Sequence, residues 1–423
     1  MVTPASATPH TPAAAIAAGD LQGFKRLRKV AALLEHLHNV GCDRDKAHNR
    51  LLHFDDYALL ILLALFNPLI DSLRSLQMVS GLEEVRDRLG IKSRISLGSF
   101  SEACRVFEPD MLDEIVAQLW QQLPDRHRPD MFKDLPGRIT LVDGTVIRTL
   151  RTIAEAMWLE KKAGWRLHLQ FDVDRHMPCA SVITAPKNTG KSDERNVLKA
   201  SLAPGCTYVM DRWYSQFSLY NAVHAIGSNY VCRIRDHSVY EVLEERPLTP
   251  EDKAAGVISD QIVRLGRSDY RGELPDHPVR LICITCTPHA KRGKGKSSSG
   301  QSGTSGPTSD GTLRIVTDLL EPPAEVISFL YSYRWTIEVF IRFFKQTLGN
   351  RHLLSTKIEG IRIQIACGII ACMLMSLLTG VRPTKQLQLL LSLYLSGLAS
   401  ASEVQREVEK ERVRQQKAAL KKS

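Results

Sequence analysis

No apolar run in this 423-residue chain reads as long enough to cross a bilayer. The two best candidates, residues 57–66 (YALLILLALF) and 365–378 (IACGIIACMLMSLL), fall short of the ~20 residues a spanning helix needs, so both read as buried helices and no membrane partner is expected. A secretion signal is also lacking. MVTPASATPHTPAAAIAAGD has neither a basic start nor a long apolar core, so a cytoplasmic setting is expected. The nine cysteines follow no regular spacing, which excludes a disulfide-stapled scaffold and agrees with a reducing compartment. Cys283 and Cys286 make one CxxC, but no second pair follows at zinc-site spacing, and strand alternation turns the two thiols to opposite faces. Acidic residues are the scarcer charge, 46 against 56 basic, for a formal net charge of +10. That balance favours a polyanion such as nucleic acid, or an anionic membrane surface, without choosing between them.

What is present is an ordinary globular composition, 43% hydrophobic and 24% charged, long enough for two or three domains. Residues 1–20, rich in Ala, Pro and Thr, are expected to be disordered. Residues 21–130 read as a helical domain. Its first helix, from Leu21, carries Lys25, Arg26, Arg28 and Lys29, which suit DNA phosphates and a solvated face equally well. An apolar helix over 51–66 follows, then one helical pattern (SLRSLQMVSGLEEVRDRLG) closed by Gly90. Next comes a short helix capped by Ser99 or Ser101, and MLDEIVAQLWQQL continues the helical character.

Residues 135–236 change period. RITLVDGTVIRTL is a strand holding a carboxylate, Asp143, where a plain sheet takes an apolar residue. Strands follow at 165–174 and 178–185, then the short helix DERNVLKA, and a strand from 206 that runs out at Asp211. A helix and a strand at 229–236 complete the set. Three strands, helix, strand, helix, strand is the order of an RNase H-like mixed sheet in an α/β fold, which puts Asp143 and Asp211 on adjacent strands. APKNTGKS at 185–192 formally satisfies a phosphate-loop pattern, but Pro186, Lys187, Asn188 and Thr189 stand where a flexible turn is needed, so an ATP site is rejected. Residues 237–312 read as a mainly β insertion with a basic, Gly/Ser-rich loop at 291–311. The chain re-enters the core through LRIVTDLL, so 313–400 form the second part of the core and its C-terminal helices. Residues 401–423 read as a charged, frayed surface helix in which Val404 and Val408 start no long heptad.

One stretch, EPPAEVISFLYSYRWTIEVFIRFFKQTLG, reads as a single long helix from Pro322 and Pro323 to Gly349. Tyr331, Arg334, Glu338 and Lys345 then share a face. Alone, Arg334 and Glu338 are no more than an i,i+4 ion pair worth a few tenths of a kcal/mol.

The Tyr–x2–Arg–x3–Glu–x6–Lys spacing of these residues resembles the signature of IS4-type DDE transposases. DGT at Asp143, Gly144 and Thr145 and DRWYS from Asp211 resemble that family's two upstream segments, so the likeness spans about residues 135–350. The resemblance implies a DNA transposase that cleaves phosphodiesters at element ends and transfers strands into target DNA. It implies Asp143, Asp211 and Glu338 as catalytic metal ligands for two Mg²⁺ ions, with Mn²⁺ as a substitute. Tyr331, Arg334, Lys345 and Arg212 would position DNA phosphates. It also implies terminal inverted repeats and target DNA as partners, a helical N-terminal domain on those ends, a dimer on DNA, and a nucleoid-associated place in a bacterial cytoplasm. Some relatives hold a displaced base with an aromatic in the insertion; this insertion has no tryptophan, and Tyr240 and Tyr270 stand in no supporting motif. A nuclease without strand transfer and a non-catalytic DNA binder are the competing readings.

If the +10 charge reflects a DNA partner, duplex affinity falls steeply with salt, each phosphate contact adding about 0.9 to the log–log slope. A binding constant that stays level between about 50 and 200 mM salt contradicts the reading.

Overall fold

The computed structural model describes residues 33–39, 50–67, 69–125, 128–148, 164–185, 189–267, 272–286, 311–349, 355 and 357–420. The segment 1–20, the basic helix expected from Leu21, most of the 291–311 loop, and Pro186, Lys187 and Asn188 lie outside them. The chain divides into two compact units, one of residues 125–148 and 164–341, the other of 1–124, 149–163 and 342–422.

The second of these units is helical. α1 (Phe54–Phe66) buries every residue except Asp55 and Asp56 in its first turn. The single helix expected over 72–90 is two, α2 (Leu73–Ser80) and α3 (Glu83–Leu89). Ser80 explains the break: its hydroxyl donates to the Gln77 carbonyl and accepts the Ile95 amide, just before Gly81. Gly90 closes α3 with φ 78° as a left-handed stop. The cap of α4 (Leu97–Val106) is Ser96, whose hydroxyl accepts from the Ser99 amide at 3.0 Å, so neither Ser99 nor Ser101 serves. A capping oxygen must precede the amide it satisfies. α5 (Met111–Gln122) ends this series.

The other unit is a mixed α/β body. Its elements run β1 (Arg138–Arg148), β2 (Gly164–Asp172), β3 (Met177–Thr184), α6 (Glu194–Ala200), β4 (Cys206–Met210), α7 (Phe217–Ala225), β5 (Asn229–Arg233), β6 (Tyr240–Arg246), α8 (Pro250–Ala254), β7 (Val257–Leu265), β8 (Val279–Thr285) and β9 (Thr312–Thr317). All nine strands form one sheet in the order β3-β2-β1-β4-β5-β9-β8-β7-β6. β4 pairs in parallel with both β1 and β5, and the other neighbours are antiparallel. Central β4 is buried at every position, as a parallel strand covered on both faces must be. Strands β6 to β8 extend the same sheet, and β9 returns the chain to the flank of β5. One of the two edge strands, β6, exposes Glu241 through Glu245.

After β9 the expected single helix is two, α9 (Ala324–Ser332) and α10 (Trp335–Gly349). Between them the ladder tightens to i→i+3 bonds, Arg334 N–H to Tyr331 C=O, Thr336 to Tyr333 and Ile337 to Arg334. Ser332 contributes by turning its hydroxyl back onto the Phe329 carbonyl at 2.6 Å. The division between units falls inside α10, so residues 342–400, read above as core, group with the N-terminal helices.

α11 (Ile358–Thr379) is long and apolar enough by length and composition to cross a membrane, because residues 358–364 extend the apolar run. It packs on α5, α1 and α4, and 83% of its most apolar window is buried. α12 (Lys385–Leu395) and α13 (Ala401–Leu420) pack together. Val404 and Val408 are buried, so the described tail is a docked helix, not a frayed one.

One buried ion pair ties the sheet to the helices that follow it. Arg280 on β8 forks onto Asp260 of β7 with bonds of 2.8 and 2.7 Å. Its remaining nitrogen donates to the carbonyls of Leu319, Leu320 and Pro322, which lead into α9. Asp260→Ala strands a buried guanidinium and is expected to cost ~3–5 kcal/mol in urea unfolding. A loss under about 1 kcal/mol would show that the pair bears no such load.

Candidate functional site

Strand register brings two carboxylates together. The last β1–β4 pair is Leu141 with Val209. Asp143 and Asp211 each lie two residues further on, at matching positions on neighbouring strands. β1 continues there, its Asp143 paired with Leu169 of β2, while the chain after β4 turns into a short 3-10 segment, Arg212–Tyr214. Asp211 caps that turn by accepting the Trp213 amide at 2.8 Å. Asp143 accepts the amide of its neighbour Gly144 at 2.9 Å.

Alternation along β1 places Asp143 on the face shared by Leu141, with Leu169 and Phe171 of β2. α10 covers that face: the rings of Phe171 and Phe340 lie 5.2 Å apart. Glu338, in the first turn of α10, accepts a 2.5 Å bond from Arg334. Burial pushes the Asp143 carboxyl up to about 7; the Arg334 charge opposes this, and the negative charges of Asp211 and Glu338 reinforce it. The three carboxylates named from the sequence therefore share one electrostatic environment, with Arg334 among them. Tyr331, on the preceding helix, is pushed up to about 12 by burial, against the pull of Arg334 and with the push of Asp211. Arg212 is exposed beside Asp211. Lys345 is half-buried and belongs to the helical unit, so the sheet unit holds three of the four signature residues.

The opposite face of β1 holds residues the sequence reading missed. Val142 packs there with Leu198 of α6 and Leu219 of α7. Gly144 meets the carboxylate of Glu194, which is 7% exposed at the start of α6. Arg166 of β2 donates to that carboxylate. The fully buried Tyr214 feels the charges of Glu194, Asp143 and Asp211, and its phenol is held far above its usual range, chiefly by burial. The sequence showed DERNVLKA as a short helix; a glutamate in a first helical turn is normally a dipole partner, which hid its burial.

Among the described residues, the group of three whose ligand atoms lie within 4.8 Å of one another is His224, His277 and Asp318; Asp143, Asp211 and Glu338 do not come that close together. The two imidazoles stack, 4.1 Å between centroids and 17° between planes. Ring-nitrogen lone pairs lie in the ring planes, so stacked rings aim them side by side and not at one point. Both His277 nitrogens already face partners, Asp276 and the Tyr230 hydroxyl. This is a hydrogen-bonded cluster at the end of the sheet opposite Asp211.

The description "Transposase DDE domain" belongs to a family model that matches residues 134–374. A protein of Sinorhizobium fredii named "Putative transposase y4zB" is 25% identical over 234 residues, 55% of this chain and 58% of that protein. The chain thus spans little more than half the length of that relative. A solved structure of a piggyBac transposase synaptic complex with hairpin DNA aligns over 94% of this chain and 80% of that chain, at 12% identity and a TM-score of 0.39. A likeness that loose supports no statement about this fold.

The Asp143 carboxyl has a sign that can be tested. Its folded value, about 7, lies above the ordinary 3.8, so in metal-free protein its contribution to stability is complete below pH ~4 and is lost as pH rises through ~7. Asp143→Asn imitates the protonated form. It is expected to melt higher than the parent at about pH 8, with the difference gone near pH 4. A difference independent of pH would show that Asp143 is not held in this way.

Proposed function

The chain belongs to the transposase DDE domain family, and we propose that it is a DNA transposase of the IS4 type with an RNase H-like core. Its task is to cleave phosphodiesters at the terminal inverted repeats of an element and to transfer the freed strand into target DNA. The observation that carries the reading is the placement of Asp143 and Asp211 at matching positions beyond the β1–β4 register, with α10, which carries Glu338, packed over the same face of the sheet.

The donor set fits hard divalent cations. All three side chains offer oxygen, and their mutual repulsion is the kind that cations relieve. Asp143, Asp211 and Glu338 would hold two Mg²⁺, with Mn²⁺ as substitute. Bound there, such ions supply activation of the attacking oxygen and charge stabilisation at the leaving one. The remaining work falls to the chain. Arg334 holds Glu338 in place and offers a planar fork to a phosphate. Tyr331, with its proton held to about 12, remains neutral at ordinary pH and donates a hydrogen bond to a phosphate oxygen. Lys345 and exposed Arg212 add cations for the DNA backbone. Two element ends handled together call for a dimer on DNA, and the setting is a bacterial cytoplasm in association with the nucleoid.

The test is a paired assay on oligonucleotides carrying candidate terminal repeats, with Mg²⁺. Joined strands support transposition; cleavage alone marks a nuclease, and a mobility shift without cleavage a binder. Glu338→Gln preserves helix propensity and removes one anionic ligand. It is expected to bind ends at least as well as the parent, because a negative charge near the phosphates has gone. Its cleavage should drop by more than the ~10–100-fold typical of losing an outer-shell partner. Arg334→Ala should instead weaken engagement of the scissile phosphate and slow the chemistry through mispositioning. If Glu338→Gln cleaves like the parent, Glu338 is a surface ion-pair residue and the site is wrongly placed.

A further inference from the structure

Resting on the reading of the site just given, we propose that Glu194 is a positioning residue for Asp143, acting through the backbone of Gly144 from the far side of the sheet.

Four observations line up. Gly144 donates its amide to the Asp143 carboxylate at 2.9 Å, so the conformation of this one residue aims the acid. A β-carbon added at Gly144 would lie 2.5 Å from the Glu194 side-chain carboxyl carbon and 2.6 and 2.9 Å from its oxygens. Glu194 is therefore seated against the backbone of Gly144 in a space that only glycine leaves open. Alternation puts Gly144 and Asp143 on opposite faces of β1, so Glu194 backs the strand on the side away from the cleft. Finally, the wedge is fixed in its turn. Arg166, carried on the neighbouring strand β2, pairs with it, and the Glu194 side chain is 8% exposed.

A buried ion pair is a poor way to gain stability compared with apolar packing, and it holds geometry better than it adds free energy. Here it backs the one peptide unit whose amide orients a carboxylate that must meet a cation. Burial raises the Glu194 carboxyl, and the Arg166 charge opposes that rise.

Mn²⁺ binding by the full-length protein, read by calorimetry, tests the inference beside thermal melting and end cleavage. Gly144→Ala is expected to weaken Mn²⁺ binding by at least ~10-fold, in line with losses of outer-shell partners, while still melting as a folded protein. Glu194→Asp withdraws the carboxylate by one methylene but keeps its charge for Arg166. Combined with Gly144→Ala it should restore most of the lost Mn²⁺ affinity and cleavage, although each single variant is impaired. Rescue of Mn²⁺ affinity that is not matched by a rescue of melting temperature is an effect that a merely structural role does not give. If the double variant binds no better than Gly144→Ala, if Gly144→Ala binds Mn²⁺ like the parent, or if affinity only tracks melting temperature, the positioning role is overturned. If the parent protein itself binds no Mn²⁺, the metal reading of the site fails first, and this inference falls with it.

Discussion

A buried carboxyl within the field of two others is the constraint around which the sheet unit is arranged. Burial raises the Asp143 carboxyl most, and the negative charges of Asp211 and Glu338 add to that rise. Such a cluster flies apart unless stiffer structure fixes its members. Parallel pairing of β1 with β4 fixes the first two, because register leaves them no freedom to slide. The third arrives on a helix reached through a turn, and that approach is anchored by Arg280, buried between Asp260 and the carbonyls that precede α9. Arg334 adds the local counter-charge. Sheet, anchor and cation all answer one electrostatic demand.

How much of this was legible in the sequence depended on the range of the signal. Asp143 stood out because a charged residue interrupts an apolar strand, and Asp211 because a strand ends on it; both are local facts. The order of elements along the chain followed from period and turn residues, and the structure reproduces it from β1 to β5. Glu338 was legible through spacing together with the family resemblance; its company with Asp143 is tertiary. The break between Tyr331 and Arg334 was not legible, since it is a local tightening of the backbone ladder to i→i+3 bonds in an otherwise helical stretch. Nor was the docking of Val404 and Val408, because two apolar residues on a charged helix look the same whether or not a partner meets them. Glu194 was the hardest, its importance lying in a contact with a residue that has no side chain.

The β6 edge strand carries a further consequence. β6 ends the sheet and turns Glu241, Glu244 and Glu245 to solvent in a protein whose formal net charge is +10. An unpaired strand edge invites a foreign strand, and charged side chains discourage that visitor. The same acids give the molecule a polarity. An anionic ligand approaching this flank meets repulsion at short range, within the ~8–10 Å over which surface charge is felt in physiological salt. The edge that guards against aggregation thus also acts as a rudder, leaving a long charged ligand fewer orientations in which to arrive.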